Sequence, residues 1–281
     1  MQQLTLKRGE PVAVGLANGP IVRPFLEWSP SRVDYVEVPY EQLRFDPTTI
    51  DIQAQVPVLL HCSSMSIAGF VLPAEKTLDQ IAGHVACTRT PWIGEHLAFI
   101  SADALDGGDA VGGTVELTYT VCPQLSEETV QRVDQNLKSL RSRFDVPIIL
   151  ENSPQYFPIP GSTLTMPEFV ATVAKQCDVD LLLDITHWLI TAGNMRLDSA
   201  ESAEALPLER VREVHLSGLS HQSGRWWDDH AVPVPDEAFE LLERLAPRLQ
   251  AQAVTFEYNW APSIPHTVLA HQIDRVRDVL S

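Results

Sequence analysis

Eight short apolar runs recur along this chain, separated by longer stretches of helical period, and that alternation limits the fold more than any other feature. The runs are Val12–Leu16, Tyr35–Val38, Val58–His61, Ile93–His96, Ile148–Glu151, Leu181–Asp184, Val211–Leu216 and Val254–Glu257. Strand-length apolar runs alternating with helices are the pattern of βα units around a parallel sheet, and eight such units close a barrel. The helices read most clearly late in the chain. Glu127–Phe144 places Val130, Val133, Leu137 and Leu140 on one face, with Ser126 positioned as its cap. Pro167–Gln176, Pro235–Leu245 and Thr267–Leu280 follow the same period. No linker or low-complexity stretch divides residues 1–281, so the expectation is a single α/β domain, a (β/α)8 TIM barrel.

The ends of these runs carry the chemistry. Five of them terminate in His61, His96, Glu151, Asp184 and Glu257, and a sixth carries His215 one residue before its end. In a closed parallel barrel the strand C-termini share one rim, so all six side chains aim at a common centre. Burying one such group costs several kcal/mol unless something neutralises it, and a succession of six implies a positive charge where they meet. Three more residues join them. In Asp184-Ile185-Thr186-His187 one turn after the strand brings both side chains to one place, and in Asp228-Asp229-His230 an extended segment puts Asp228 and His230 on one side. The candidate metal ligands are therefore His61, His96, Glu151, Asp184, His187, His215, Asp228, His230 and Glu257. Nine donors exceed what one first-row ion takes but suffice for two or three, and the lack of a thiolate disfavours a structural zinc site. Singly, each would be an ordinary strand-end residue or a hydrogen-bonded histidine; jointly they are not. Strand alternation turns Glu95 and Cys62 away from the centre, with Glu95 a supporting acid and Cys62 a packing residue. Asp229 points away from its neighbours, and His84, His221, His266 and His271 read as ordinary helix or loop residues.

The formal net charge of -17 argues against a surface built for nucleic-acid phosphates. Four scattered cysteines, Cys62, Cys87, Cys122 and Cys177, show no CxxC spacing and read as reduced thiols. Met1–Gly9 lacks the apolar stretch of a secretion signal, and no run is long enough to span a bilayer, so the expectation is a cytoplasmic protein without membrane contact. Ser101–Gly113 is polar and Gly-rich, a surface loop or lid; Ser217–Val234 follows His215 at the rim, with Arg225, Trp226 and Trp227 placed to meet a peptide or to pack on the barrel.

The segments His61-Cys62-Ser63-Ser64, Trp92-Ile93-Gly94-Glu95-His96-Leu97, Leu150-Glu151-Asn152, Leu181 to His187, Ala192-Gly193-Asn194, Val214 to Gly218, Asp228-Asp229-His230 and Phe256-Glu257-Tyr258-Asn259 occur in an order that resembles the multinuclear non-haem iron-dependent oxidative enzymes, the methanobactin-oxidase-like barrels. The resemblance covers about residues 12 to 280. It implies a xylose-isomerase-like TIM barrel holding two or three iron ions (Fe2+/Fe3+), with dioxygen as co-substrate. By it, His61, His96 and Glu151 hold one iron, Glu151 bridges to a second held by Asp184, His215 and Glu257, and His187, Asp228 and His230 form the third position. Glu151, Asp184 and His215 are then the catalytic residues. The resemblance further implies oxidation of a residue, often cysteine, in a ribosomally made precursor peptide, with a small partner protein presenting that peptide. The chain departs from the common pattern in Glu257-Tyr258-Asn259, in His187 where many members carry Asn, and in Gly15-Leu16-Ala17-Asn18. The ligand order is also similar to that of the apurinic endonucleases, in which three zinc ions hydrolyse a phosphodiester. Sugar isomerisation would want a lysine near the metals, and Lys7, Lys76, Lys138 and Lys175 all lie away from strand ends. A metal-containing peptide-binding scaffold without catalysis is the non-enzymatic alternative.

Overall fold

The computed structural model describes residues 3–103, 114–259 and 264–281. Eight strands form its centre: β1 (Ala13–Ala17), β2 (Tyr35–Pro39), β3 (Val58–Cys62), β4 (Ile93–His96), β5 (Ile148–Glu151), β6 (Leu181–Asp184), β7 (Val211–Ser217) and β8 (Ala253–Glu257). Each pairs in parallel with its neighbours in chain order, and β1 pairs with β8, so the sheet closes into a parallel (β/α)8 barrel. The strands lie where the apolar runs place them. The largest shifts are single residues: β1 starts at Ala13 and β8 at Ala253, while β2, β3 and β7 extend to Pro39, Cys62 and Ser217.

Both faces of these strands are buried, for different reasons. One parity, including Val14, Leu16, Val36, Val38, Leu60, Leu150, Leu183, Leu216 and Phe256, packs under the helices as one large cluster. The other parity fills the barrel. Its floor is a small separate cluster of Tyr35, Leu59, Trp92, Ile149, Leu182 and Ala253, with Leu4 from the N-terminal segment. Gly15 belongs to this layer by necessity, since a Cβ there would sit 2.3 Å from the Tyr35 ring. A bulge in β7 skips Arg212: Leu181 pairs with Val211 and Leu182 with Glu213. Val211 therefore joins the helix-side cluster, while Glu213 and His215 alternate into the barrel.

The helices cover the sheet as the period requires. Glu127–Arg141 buries Val130, Val133, Leu137 and Leu140, and Ser126 accepts a hydrogen bond from the Thr129 amide. It ends at Arg141 rather than Phe144. Met166–Gln176, Asp236–Leu245 and His266–Val279 match the remaining expectations to within one residue. Two antiparallel hairpins stand on the C-terminal rim. Phe99–Asp103 pairs with Thr114–Val121 after β4, and Leu219–Gln222 pairs with Arg225–Asp228 after β7. The segment expected to be a loop from Ser101 is thus strand up to Asp103, and the rest of the expected lid, residues 104–113, lies outside the described residues. In the second hairpin Ser223 and Gly224, at φ 51° and 77°, make the two-residue turn.

Candidate metal centre

Strand parity puts the donors in place. His61, Glu151, Asp184 and Glu257 follow the floor residues Leu59, Ile149, Leu182 and Ala253 by two or four positions on their strands, His96 follows Trp92 by four, and His215 follows the inward-facing Glu213 by two, so all six stand above that layer. Asp184 also caps the helix Ile185–Met195, its Oδ1 accepting from the His187 amide at 2.6 Å. The Asp-x-x-His spacing is therefore a helix cap, and the first turn swings His187 back over the same pocket. Asp228 ends the second hairpin. His230 does not continue in extended form as the sequence suggests: its φ is 54°, and this left-handed step, not strand alternation, returns its Nε2 to 2.7 Å from Asp228 Oδ2.

All nine donors converge. His61, His96 and Glu151 form one group; Asp184, His215 and Glu257 a second; His187, Asp228 and His230 a third; in each, the ligand atoms lie within 4.8 Å of one another. Glu151 joins them through two different oxygens. Its Oε2 is 3.3 Å from both His61 Nε2 and His96 Nε2, whereas Oε1 is 3.2 Å from His187 Nδ1 and 3.9 Å from His215 Nδ1. His187 lies 3.0 Å through Nδ1 from the Asn152 carbonyl and 3.2 Å through Nε2 from Asp228 Oδ2, so its ring stands between the Glu151–Asp184 pair and the Asp228–His230 pair and can group with either.

The buried polar atoms test whether a cation fits. Glu151 Oε2, Asp184 Oδ2 and His215 Nδ1 are buried at this centre without hydrogen-bond partners among the described residues, as are Glu37 Oε1 and His61 Nδ1 below it. Orphaned buried polar atoms of this kind are rare, and the carboxylate oxygens among them call for an ion or water. Their charge balance agrees. Burial alone would lower the His61 imidazole, but Glu37 and Glu151 push it up to about 10. Burial likewise opposes protonation of His230, which Glu257 and Asp228 raise to about 9. His187 and His215 are raised well above their ordinary value against burial, by Asp184 and Asp228 and by Glu37 and Glu257 respectively. Burial lifts Asp184 to about 7 despite His187, and it lowers His96. Without a cation the carboxylates thus favour protons on His61, His187, His215 and His230, though not on His96. Divalent cations replace those protons with a stronger charge, and a set of imidazole and carboxylate donors without sulfur suits iron, zinc or manganese.

Two buried carboxylates beneath the donors escape the strand-end reading. Glu37 in β2 and Glu213 in β7 are wholly buried inside the barrel beneath the donors. Glu213 accepts from Trp92 Nε1 at 2.8 Å and from Thr255 Oγ1 at 2.8 Å, and Glu37 Oε2 lies 3.1 Å from His215 Nε2. Their signal is parity: Glu37 alternates with Tyr35, and Glu213 with His215. Of the residues expected to face away, Glu95 accepts from the Met65 and His96 amides, and Cys62 Sγ accepts from the Ser64 amide. His221 stands exposed beside Trp226, and Asp229 accepts from the Ala231 amide. Trp227 stacks on Tyr156 at 4.8 Å, and Arg225 is bonded to the Tyr156 carbonyl. Among the described residues no helix is long and apolar enough to cross a membrane.

A closed parallel barrel with a ring of imidazoles and carboxylates at its C-terminal rim defines a class, the xylose-isomerase-like TIM barrels. Solved structures agree in fold: a D-tagatose 3-epimerase-like protein (TM-score 0.56, 15% identical, covering 96% of this chain and 98% of that one); endonuclease IV from Thermus thermophilus (0.55, 17%, 95% and 98%); and a xylose isomerase-like TIM barrel protein from Mycobacterium smegmatis in complex with magnesium (0.53, 14%, 97% and 97%). Within that class the chain belongs to the family of RiPP precursor modification enzymes MbnB/TglH/ChrH, whose sequence model matches residues 13–281. A UPF0276 protein of Caulobacter vibrioides is 28% identical over 262 residues, 90% of this chain and 89% of the relative. Another from Streptomyces avermitilis is 25% identical over 250 residues, 88% of this chain but 50% of that longer protein.

Proposed function

We propose that this chain is an iron-dependent enzyme that uses dioxygen to oxidise a residue, a cysteine by preference, in a ribosomally synthesised precursor peptide. One observation carries the reading: Glu151 turns Oε2 to His61 and His96 of the first group and Oε1 to His215 of the second and His187 of the third, as a carboxylate shared between ions would. By this reading His61, His96 and Glu151 hold one iron, Asp184, His215 and Glu257 a second with Glu151 shared, and His187, Asp228 and His230 a third. Bound iron would supply the electron transfer between peptide and dioxygen. Glu151, shared between the first two groups, and Asp184 and His215, which complete the second beside it, are the catalytic set of this proposal. Their burial excludes bulk water and strengthens every charge interaction in the pocket.

The peptide has a place to lie. An apolar groove of about 910 Å³ runs over the same rim, with Phe99, Tyr119, Tyr156, Phe157 and Trp227 in its wall. None of the nine donors lines this groove, but its Trp227 belongs to the same hairpin strand as Asp228, which ties the groove to the third donor group. A small partner protein that presents the peptide belongs to the same proposal, as does action in the cytoplasm, where the unpaired Cys62, Cys87, Cys122 and Cys177 stay reduced. Residues 1–281 would act as one catalytic domain.

Anaerobic purification followed by metal analysis and oxygen-uptake measurement tests this. Two or three irons per chain, and uptake that rises with a Cys-containing precursor peptide, are expected. His215→Ala should lose iron and uptake while its circular dichroism stays that of a folded protein. Stoichiometric zinc together with cleavage of abasic DNA would replace the proposal with a phosphodiester hydrolase. Absence of any bound metal would leave a peptide-binding scaffold.

A further inference from the structure

Glu37 stands mid-strand in β2, wholly buried one layer below the nine donors. Its Oε2 lies 3.1 Å from His215 Nε2 and 3.9 Å from His61 Nδ1, and its Oε1 has no hydrogen-bond partner among the described residues. On each of these rings the opposite nitrogen faces a donor group. His215 Nδ1 is 3.4 Å from Glu257 Oε2, and His61 Nε2 is 3.3 Å from Glu151 Oε2. A single carboxylate therefore sits behind two imidazoles that serve different groups, facing one through its ε nitrogen and the other through its δ nitrogen.

We propose that Glu37 is a positioning residue shared by two metal subsites, accepting the N–H of His215 Nε2 and that of His61 Nδ1. A neutral imidazole carries one donor and one acceptor, so holding the proton at the back leaves the lone pair for a metal at the front. His215 then binds through Nδ1 and His61 through Nε2. The rival acceptor, Glu213, is 3.6 Å from His215 Nε2 and already occupied by Trp92 and Thr255. Glu37 has spare acceptor capacity in Oε1, and His61 Nδ1, 3.9 Å from Oε2, has no hydrogen-bond partner among the described residues, so the two buried atoms left over below the donors are those of this pair. The two subsites are in this way coupled through a carboxylate that touches neither ion. The inference rests on the metal-centre reading but not on the identity of the metal or on the use of dioxygen.

Long-range 1H–15N spectra of the wild-type protein, labelled at histidine and loaded with Zn(II), read the tautomers directly. His215 is expected to be protonated at Nε2 and His61 at Nδ1; protonation of His215 at Nδ1 overturns the proposal. Competitive Zn(II) titration then reads the coupling. Glu37→Ala should weaken two binding steps together, each about ten- to hundredfold, whereas His96→Ala, a ligand in one group, should weaken mainly one. Glu37→Gln keeps an acceptor oxygen for one ring and should fall less far than Glu37→Ala. Unchanged affinities in Glu37→Ala, or loss of one step alone, overturn the shared role. Wild-type protein that takes up no zinc or iron would defeat the metal-centre reading as well, a result distinct from either.

Discussion

At the scale of single residues, the pocket sets an unusual number of charges against one another, and the balance has measurable consequences. With no cation, His61 and His230 keep protons up to about 10 and about 9 because carboxylates outweigh their burial. Metal loading at pH 7 must expel those protons, so calorimetry in buffers of differing ionisation enthalpy should show proton release, and apparent affinity should rise from pH 6 to pH 9. Stability runs the other way in the metal-free protein. Raised histidine values stabilise the folded chain below the ordinary imidazole range, and that contribution disappears as pH climbs through about 9 to 10. Denaturant midpoints of metal-free protein should therefore fall between pH 8 and 10, and those of loaded protein should not follow. Gly94 supplies a steric test. In Gly94→Ala the new methyl meets His61 Nδ1 at 2.6 Å and Leu182 Cδ1 at 3.1 Å. The expected result is a destabilisation of about 1–3 kcal/mol in urea melts, with weaker metal binding at the His61 group.

Among elements, the barrel strands and the rim hairpins differ in how much local sequence decides. A strand's side chains alternate with period two, so the apolar floor and the donors above it are written into each strand separately. The second hairpin is positioned from outside. Asn194, in the last turn of helix Ile185–Met195, holds the Trp226 backbone twice, its Oδ1 accepting from the Trp226 amide at 3.0 Å and its Nδ2 donating to the Trp226 carbonyl at 3.0 Å. Gly193 beside it leaves room for the indole, since a Cβ there would come within 2.5 Å of Trp226 Cδ1. Asn194→Ala and Gly193→Val should thus displace Asp228 and remove metal from the His187, Asp228 and His230 group first. Metal counts should drop by about one ion per chain on the three-ion reading, with the other two groups retained; loss of all metal at once would show that the hairpin is not an independent support.

Taken as a whole molecule, the barrel gathers carboxylates and imidazoles from six strands, one helix turn and one hairpin into a buried centre, so metal binding and fold stability are linked. Each ion present at a hundredfold excess over its Kd should add about 2.7 kcal/mol. Anaerobic thermal melts with Fe(II) should accordingly lie above those in chelator, and the gap should shrink in His215→Ala. Much of this centre is legible in the chain. Strand-end position and residue type pick out His61, His96, Glu151, Asp184, His215 and Glu257 because a parallel barrel collects strand C-termini at one rim. Glu37 and Glu213 escape that logic because they interrupt apolar runs instead of ending them, although Glu37 shares its parity with Tyr35 and Glu213 with His215. The Ser223-Gly224 turn and the pairing of Phe99–Asp103 with Thr114–Val121 lie outside the eight-run rhythm, so a reading that counts barrel strands passes over them.

The sequence by itself determined the eight-fold strand-helix rhythm, the inward parity of each strand and the chemistry of the donors, all of which depend on neighbours a few residues apart. Tertiary structure alone decided which donors meet. The left-handed turn at His230, the two-sided placement of Glu151 and the position of Glu37 behind two rings exist only after the barrel has closed. Closure brings residues such as Glu37 and His215, distant along the chain, within a hydrogen bond of each other, and no local period encodes a distance of that kind.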